Sequence, residues 1–358
     1  MDHGQTYGFF FGANSAGQFV SLFEGLYDYD EIVKRYIIKG GPGCGKSTMM
    51  KRMAAFYQQQ GQEVEQIFCS SDPDSLDAVL CRGAGVSLVD GTAPHVIEPV
   101  YPGVRDTYLN FSDFWDMRAL AGQEERVMAL TRAAGREFAG AFALLRGAKA
   151  LEDDALDRAL PLANIAGIHK RARGIAQREI PRRRQQPARE GRLRRRFLSA
   201  ISPRGVVFLA DTPAYLAQKV YVLLDGYGLA PFLLEPVCRQ ALAAGFDVYA
   251  CYCPLNPDRL EHVLIPALSL ALVTEHGPVR WGGESHRRVH LDHYLDREGL
   301  SRIRAPLREG RKGSARLVDR AVDRLAGAKA LHDELEQCYV PAVDFGRVEQ
   351  LIADLQRI

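Results

Sequence analysis

The sequence predicts an α/β protein made of two tandem copies of one fold, each a parallel β-sheet followed by a helical hairpin. Apolar, β-rich segments alternate with helical ones in both halves of the chain, which is typical of a parallel sheet. Residues 68–76 recur as residues 252–260, with an offset of 184 residues. Residues 147–151 recur as residues 327–331, with an offset of 180 residues. Sheet and hairpin are therefore both duplicated.

The duplication sets the predicted domain boundaries. We place one repeat at 1–190 and the other at 191–358. The helical appendages are expected at about 117–185 in the first repeat and about 315–358 in the second, where alanine, leucine, arginine and glutamate recur at helical spacing.

The first repeat opens with a predicted hairpin at residues 7–23, which leads to a short strand at residues 35–39. The next residues, Gly40-Gly41-Pro42-Gly43-Cys44-Gly45-Lys46-Ser47-Thr48, match the Walker A pattern G-x-x-x-x-G-K-[ST] without a mismatch. Its glycines let the backbone turn tightly and aim N–H groups at a polyphosphate. Residues 49–60 are predicted to be helical, so the phosphates would also lie at a helix N-terminus.

The loop predicts a nucleoside-triphosphate site, and hence sheets of the P-loop NTPase type. Lys46 is expected to reach the outer phosphates, and Ser47 to place its hydroxyl on Mg²⁺. The residues predicted to bind the nucleotide are Gly41, Pro42, Gly43, Cys44, Gly45, Lys46, Ser47 and Thr48.

The acid that completes such a site is predicted downstream of the loop. Residues 64–69 are predicted to form a strand, residues 75–80 a short helix, and residues 86–90 an apolar strand that ends in Asp90. In P-loop enzymes an aspartate at the end of such a strand orients Mg²⁺ and its waters. Lys46 and Asp90 are therefore the predicted catalytic residues, and Ser47 and Asp90 the predicted metal ligands.

The remainder of the first repeat is helical up to an arginine-rich stretch at residues 182–196. The helical hairpins are predicted to serve in packing, as a lid or as an arm that binds a protein partner. The arginine-rich stretch has no aromatic residue before Phe197 to stack on a base, so it indicates a solvated linker rather than a nucleic-acid site.

The second repeat has lost the predicted chemistry. Pro231 stands at the position of Lys46, and Phe232 at that of Ser47. Thr274 stands at the position of Asp90. Proline has no N–H group to donate, and both magnesium ligands are missing. We expect a structural copy that pairs with the first repeat as an intrachain pseudo-dimer.

Four segments carry a resemblance to a known family: residues 11–15, 39–48, 85–95 and 328–335. With them the chain resembles a little-characterised bacterial family of tandem-repeat P-loop ATPases, which are nucleotide-binding proteins of unknown pathway. The resemblance covers essentially the whole chain and implies ATP binding. The second copy in that family often keeps a phosphate loop as well, whereas this chain does not.

Composition indicates a cytoplasmic protein. The net charge of +2 does not indicate a membrane or nucleic-acid partner for the whole chain. Seven scattered cysteines indicate reduced thiols rather than a disulfide framework. The longest apolar run, residues 263–273, is too short to span a bilayer, and the first residues lack the positive region of a signal peptide.

Three functions remain open from the sequence. The first is a Mg-dependent ATPase, for which no water-activating residue is evident and Asp72, His95 and Glu98 are candidates. The second is a small-molecule or nucleotide kinase, with the acceptor bound by residues 70–72 and 92–95. The third is a nucleotide-gated switch or scaffold with negligible turnover. The chain has no Asn-Lys-x-Asp tetrapeptide of the kind that reads guanine, which favours ATP over GTP.

Overall fold

The computed structural model describes residues 4–26, 30–181 and 189–357. The chain divides into two compact units. Unit one comprises Met1–Gly12, Ser21–Ala141 and Asp323–Ile358, and unit two comprises Ala13–Val20 and Phe142–Val322. The repeats at 1–190 and 191–358 describe the sequence, whereas each compact unit combines segments of both repeats.

The sheet of unit one has six strands, and a two-stranded sheet lies near the start of the chain. The strands, in chain order, are β1 (Thr6–Phe10), β2 (Gly12–Asn14), β3 (Phe19–Ser21), β4 (Lys34–Lys39), β5 (Val64–Phe68), β6 (Leu76–Cys81), β7 (Val86–Asp90) and β8 (Asp106–Asn110). Strands β2 and β3 pair with each other, and the others follow the order β1-β5-β6-β7-β4-β8. Only β6 is antiparallel to its neighbours in this six-stranded sheet.

Unit two contains a six-stranded sheet with the same order. Its strands and those of a neighbouring hairpin are β9 (Leu193–Arg196), β10 (Ser199–Ser202), β11 (Gly205–Phe208), β12 (Lys219–Leu224), β13 (Val248–Tyr252), β14 (Leu260–Ile265), β15 (Leu270–Glu275) and β16 (Arg287–His290). The order is β9-β13-β14-β15-β12-β16, and β14 is the antiparallel strand. The prediction of an α/β protein with two mostly parallel sheets is confirmed.

The helices complete the two units. They are α1 (Lys46–Gln59), α2 (Met117–Ala121), α3 (Glu124–Ala159), α4 (Ile165–Glu179), α5 (Asp211–Leu216), α6 (Pro231–Ala243), α7 (Arg297–Tyr339) and α8 (Phe345–Leu355). Helix α7 begins at Arg297, well before the start expected near residue 315. No helix among residues 4–26, 30–181 and 189–357 has the length and apolar character needed to cross a membrane.

Two expectations about local structure are wrong. Residues 75–80 were expected to be a helix, but Leu76–Cys81 forms β6, because a short apolar run fits a fully buried strand as well as it fits a helix. The arginine-rich stretch was expected to be a solvated linker, but its last residues form β9. This strand pairs with β13, and Arg196 is buried. The linker residues 182–188 lie outside the described residues.

The core of unit one includes the end of the chain. Met49, Met50 and Met53 of α1 pack in one cluster with apolar residues of the sheet. Val348, Ile352 and Leu355 of α8 belong to the same cluster, because they lie at helical spacing on one face of α8. Helix α8 is capped by Asp344, whose side chain accepts a hydrogen bond from the Arg347 amide at 3.1 Å. Segment 323–358 therefore helps to form the hydrophobic core on which the phosphate loop rests.

The core of unit two includes the last helix of the first repeat. Ile168, Ala172 and Ile175 of α4 are buried in one cluster with residues of α6 and of β12, β13, β14 and β15. Each repeat thus contributes its last helix to the unit that contains the other repeat's sheet.

Candidate phosphate-binding site

The predicted phosphate loop, residues 40–45, leaves the carboxyl end of β4 and enters α1 at Lys46. Gly43 and Gly45 have φ values of 66° and 92°, a left-handed conformation that L side chains rarely adopt. Gly45 is the N-cap residue of α1 and has no side chain with which to cap the first N–H groups of the helix. Pro42 lies in the turn before it, and Lys46, Ser47 and Thr48 form the first turn of α1. The backbone N–H groups of the loop and of the first turn of α1 therefore lie close together, an arrangement that stabilises an anion.

Lys46 lies folded over this loop. Its Nζ donates hydrogen bonds to the carbonyl oxygens of Gly40 at 3.0 Å and Gly41 at 2.8 Å. The same Nζ lies 3.6 Å from Oδ2 of Asp90. The structure therefore brings together the two residues predicted to be catalytic, although they are distant in sequence.

Asp90 reaches the loop because of the strand order. Strand β7 lies beside β4, with Asp90 in register with Ile38, so its carboxylate lies at the edge where the loop begins. Its Oδ1 accepts a hydrogen bond from the Thr92 amide at 2.9 Å. Thr92 Oγ1 in turn donates to the Gly40 carbonyl at 3.1 Å, which ties this strand end to the loop.

Ser47 and Asp90, the two predicted magnesium ligands, both offer hard oxygen atoms. Ser47 Oγ accepts a hydrogen bond from the Leu76 amide at 3.0 Å, which leaves the second oxygen lone pair for a metal ion. Within the part of the chain that the structure describes, no group of three or more His, Cys, Asp or Glu side chains could hold a metal. Magnesium bound with a nucleotide needs only one or two protein ligands, because phosphates and waters supply the rest.

The sequence did not identify Asp77, which lies beside Asp90. In the antiparallel register of β6 and β7, Ala78 faces Val89, so the next position places Asp77 opposite Asp90. The side chain of Asp77 is buried, and its Oδ2 lies 3.3 Å from Nε2 of His95. Burial, and then the charge of Asp90, raise the pKa of Asp77 to about 8, and burial lowers the pKa of His95 to about 4. The two side chains form a buried pair that burial drives towards neutral forms.

The wrong helix expected at residues 75–80 concealed this residue. The alternation of Leu76, Asp77 and Ala78 within a short β-rich run was the available signal for a strand with an acid near the loop.

The other candidates for water activation have different partners. Asp72 accepts a hydrogen bond from Ser75 Oγ at 2.8 Å and lies 3.7 Å from Nζ of Lys329. Glu98 is largely exposed, and its carboxylate binds Lys39 at 2.9 Å and the hydroxyl of Tyr108. His95, by contrast, contacts Asp77 within the site.

Cys44 is buried within the loop. Its thiol donates a hydrogen bond to the Gly41 carbonyl at 3.0 Å, and only 1% of the residue is exposed. Burial raises the pKa of this thiol, which outweighs the effect of Lys46. Desolvation therefore disfavours the thiolate, although Cys44 lies beside the N-terminus of α1.

The end of α7 lies over the phosphate loop, a contact that the sequence did not reveal. A Cβ built on Gly43 would lie 3.0 Å from Val340 and 3.1 Å from Cβ of Glu336. The Gly43 amide is close enough to the Glu336 carboxylate to help lower its pKa. A Cβ on Gly41 would lie 3.1 Å from the Trp115 ring and 3.2 Å from the Tyr339 ring. Both sides of the loop are therefore in close contact with other parts of unit one.

The corresponding loop of unit two binds a carboxylate of its own. Oδ1 of Asp225 accepts hydrogen bonds from the amides of Tyr227 at 3.0 Å and Leu229 at 2.9 Å, and Oδ2 from that of Ala230 at 2.7 Å. The amides that would face a phosphate are thereby occupied. This gives the altered loop a stable structure without a ligand.

Comparisons of the chain with known protein families, with curated proteins and with solved structures find no match. The function is therefore inferred from the geometry of this site.

Proposed function

We propose that the chain binds Mg-ATP at the loop of unit one and hydrolyses it. The observation that carries this proposal is the convergence of Lys46, Asp90 and the N-terminus of α1 on one glycine-rich loop, with 3.6 Å between the Lys46 ammonium and the Asp90 carboxylate. The resemblance to tandem-repeat P-loop ATPases supports the same assignment and favours ATP as the nucleotide.

Each residue of the site has a distinct role in this proposal. Lys46 and the loop amides bind the outer phosphates and stabilise the charge that develops on the transferring phosphoryl group. Ser47 and Asp90 would hold Mg²⁺, which neutralises phosphate charge when it is bound. His95 orients the attacking water and accepts its proton, and Asp77 beside it holds the imidazole in place. Burial lowers the pKa of His95 and so keeps it unprotonated near neutral pH, which a proton acceptor requires.

The first test compares ATP affinity and turnover in the wild type and Lys46→Ala with Mg²⁺ present. A charge-assisted hydrogen bond contributes about 1.5–3 kcal/mol, so we expect affinity to fall roughly ten- to a hundredfold and turnover to fall to background. Lys51→Ala removes an exposed lysine of the same helix and serves as the matched control. Equal affinity and turnover in wild type and Lys46→Ala would refute the proposal.

A further inference from the structure

Glu336 lies against the middle of the Walker A loop, where a Cβ on Gly43 would lie 3.1 Å from Cβ of Glu336. The Gly43 amide is close enough to help lower the pKa of the Glu336 carboxylate. His332 lies one helical turn away, with Nε2 3.5 Å from Oε1 of Glu336. The hydrogen bond from His332 lowers the pKa of Glu336, so this carboxylate is an anion at neutral pH. An anion of the chain itself thus lies against the loop.

Further contacts hold α7 at this site. Lys329 Nζ lies 3.7 Å from Oδ2 of Asp72, in the loop that follows β5. The Tyr339 ring packs on Trp115, with 5.5 Å between ring centroids. These contacts join α7 to the loop after β5 and to the Trp115 ring, and they position the last turns of α7.

The second repeat provides an internal comparison. When β4 is aligned with β12, Gly40 corresponds to Asp225 and Gly43 to Gly228, which also has a positive φ of 81°. The helix residue that corresponds to Glu336 is Leu156, and a Cβ on Gly228 would lie 3.7 Å from Cδ1 of Leu156. In unit two the loop contains its own carboxylate, Asp225, and Leu156 packs on it. In unit one the loop contains no carboxylate, and Glu336 packs on it.

We propose that Glu336 is an autoinhibitory anion that occupies the phosphate cradle and must be displaced by the outer phosphates of the nucleotide. This inference rests on the proposed nucleotide site and adds its regulation. The Gly43 N–H group cannot donate to the Glu336 carboxylate and to a phosphate at the same time. The carboxylate and the phosphates also repel each other, because both are negatively charged. Binding of nucleotide is therefore coupled to release of the end of α7, and the energy of the Glu336 contact lowers the apparent affinity.

The test replaces Glu336 by its neutral isostere. Glu336→Gln keeps the shape of the side chain and removes the charge that competes with phosphate. We expect affinity for Mg-ATP and for inorganic tripolyphosphate to rise by about five- to a hundredfold, the range of typical coupling between two binding events. Glu334→Gln removes the same charge from an exposed position of α7 and is expected to leave both affinities unchanged. Affinities are measured by calorimetry.

Tryptophan fluorescence reports the movement independently. The chain has two tryptophans, so Trp281→Phe leaves Trp115 as the single fluorophore beside Tyr339 and Gly41. In Trp281→Phe with Glu336 unchanged, ATP is expected to change the Trp115 emission. In Glu336→Gln this change should reach half-saturation at a lower ATP concentration.

Several outcomes would overturn the proposal. Unchanged or lower affinity in Glu336→Gln, with ATP binding that depends on Lys46, would remove the inhibitory role and leave the proposed function intact. Unchanged affinity with lost turnover would make Glu336 a catalytic residue instead. Absence of ATP and tripolyphosphate binding in wild type, Glu336→Gln and Lys46→Ala alike would refute both proposals.

Discussion

At the scale of single residues, Asp77 shows how the site is built at the expense of stability. The side chain is buried opposite Asp90 and beside His95. Burial is the largest cause of its raised pKa, and the charge of Asp90 adds to it. A carboxyl group in such a place favours its protonated form in the folded protein, whereas the unfolded chain loses this proton near pH 4.

This difference predicts how stability depends on pH. The folded-state pKa of Asp77 is about 8 against an ordinary value of 3.8, so the native protein holds the proton between these values and the unfolded chain does not. The contribution of Asp77 to stability is therefore fully present below about pH 4 and is lost as the pH rises to about 8. Asp77→Asn is neutral at every pH, and we expect its thermal midpoint to rise relative to wild type between pH 5 and pH 9.

The expected gain in stability is a few kcal/mol, since each pKa unit corresponds to about 1.4 kcal/mol. Thermal unfolding without nucleotide or Mg²⁺ measures it, and Asp74→Asn at an exposed position is the control. A parallel dependence on pH in Asp77→Asn and wild type would contradict the assigned pKa.

At the scale of elements, the sequence predicted features formed by neighbouring residues and missed contacts between residues that are distant in the chain. The Walker A pattern and the start of α1 are encoded in nine consecutive residues, and Nζ of Lys46 lies 3.6 Å from Oδ2 of Asp90. Glu336 lies 293 positions beyond Gly43 in the chain, and no local pattern marks its contact with the loop. Strand β6 was misassigned because its length and apolar character do not distinguish a buried strand from a helical turn.

The loop glycines give a prediction at the same scale. Gly43 and Gly45 both have positive φ, so an alanine at either position carries a backbone cost of roughly 1–2 kcal/mol. At Gly43 the new Cβ would also lie 3.2 Å from the backbone oxygen of Glu336, whereas at Gly45 the nearest atoms lie at 3.7 Å. We expect Gly43→Ala to lower the thermal midpoint more than Gly45→Ala does, because only Gly43→Ala crowds α7. Equal midpoints in the two variants would show that α7 does not pack on the loop.

At the scale of the whole molecule, duplication preserved the strand order and changed the chemistry of the loops. Both sheets have one antiparallel strand in the same place. The loop before α6 is stabilised by Asp225, whereas the loop before α1 has no carboxylate of its own. The two units also combine segments of both repeats, so that α8 completes the core beneath α1.

The composition of unit one predicts that the first repeat does not fold by itself. A fragment of residues 1–190 lacks α8, whose Val348, Ile352 and Leu355 are buried against α1 and the sheet. Each of these side chains contributes roughly 1.5–3 kcal/mol when it is fully buried, a sum comparable to the stability of a typical domain. We expect the fragment to lack a cooperative thermal transition and to lack the proposed ATP binding.

Co-expression with residues 297–358, which contain α7 and α8, is expected to restore both properties of the fragment. Residues 297–358 carrying Ile352→Asp serve as the control, because a buried carboxylate prevents α8 from packing. A fragment of residues 1–190 that unfolds cooperatively and binds ATP as tightly as the full chain would show that α8 is dispensable for the core of unit one. If residues 297–358 restore both properties and the same segment with Ile352→Asp does not, the phosphate loop depends on a core to which both repeats contribute.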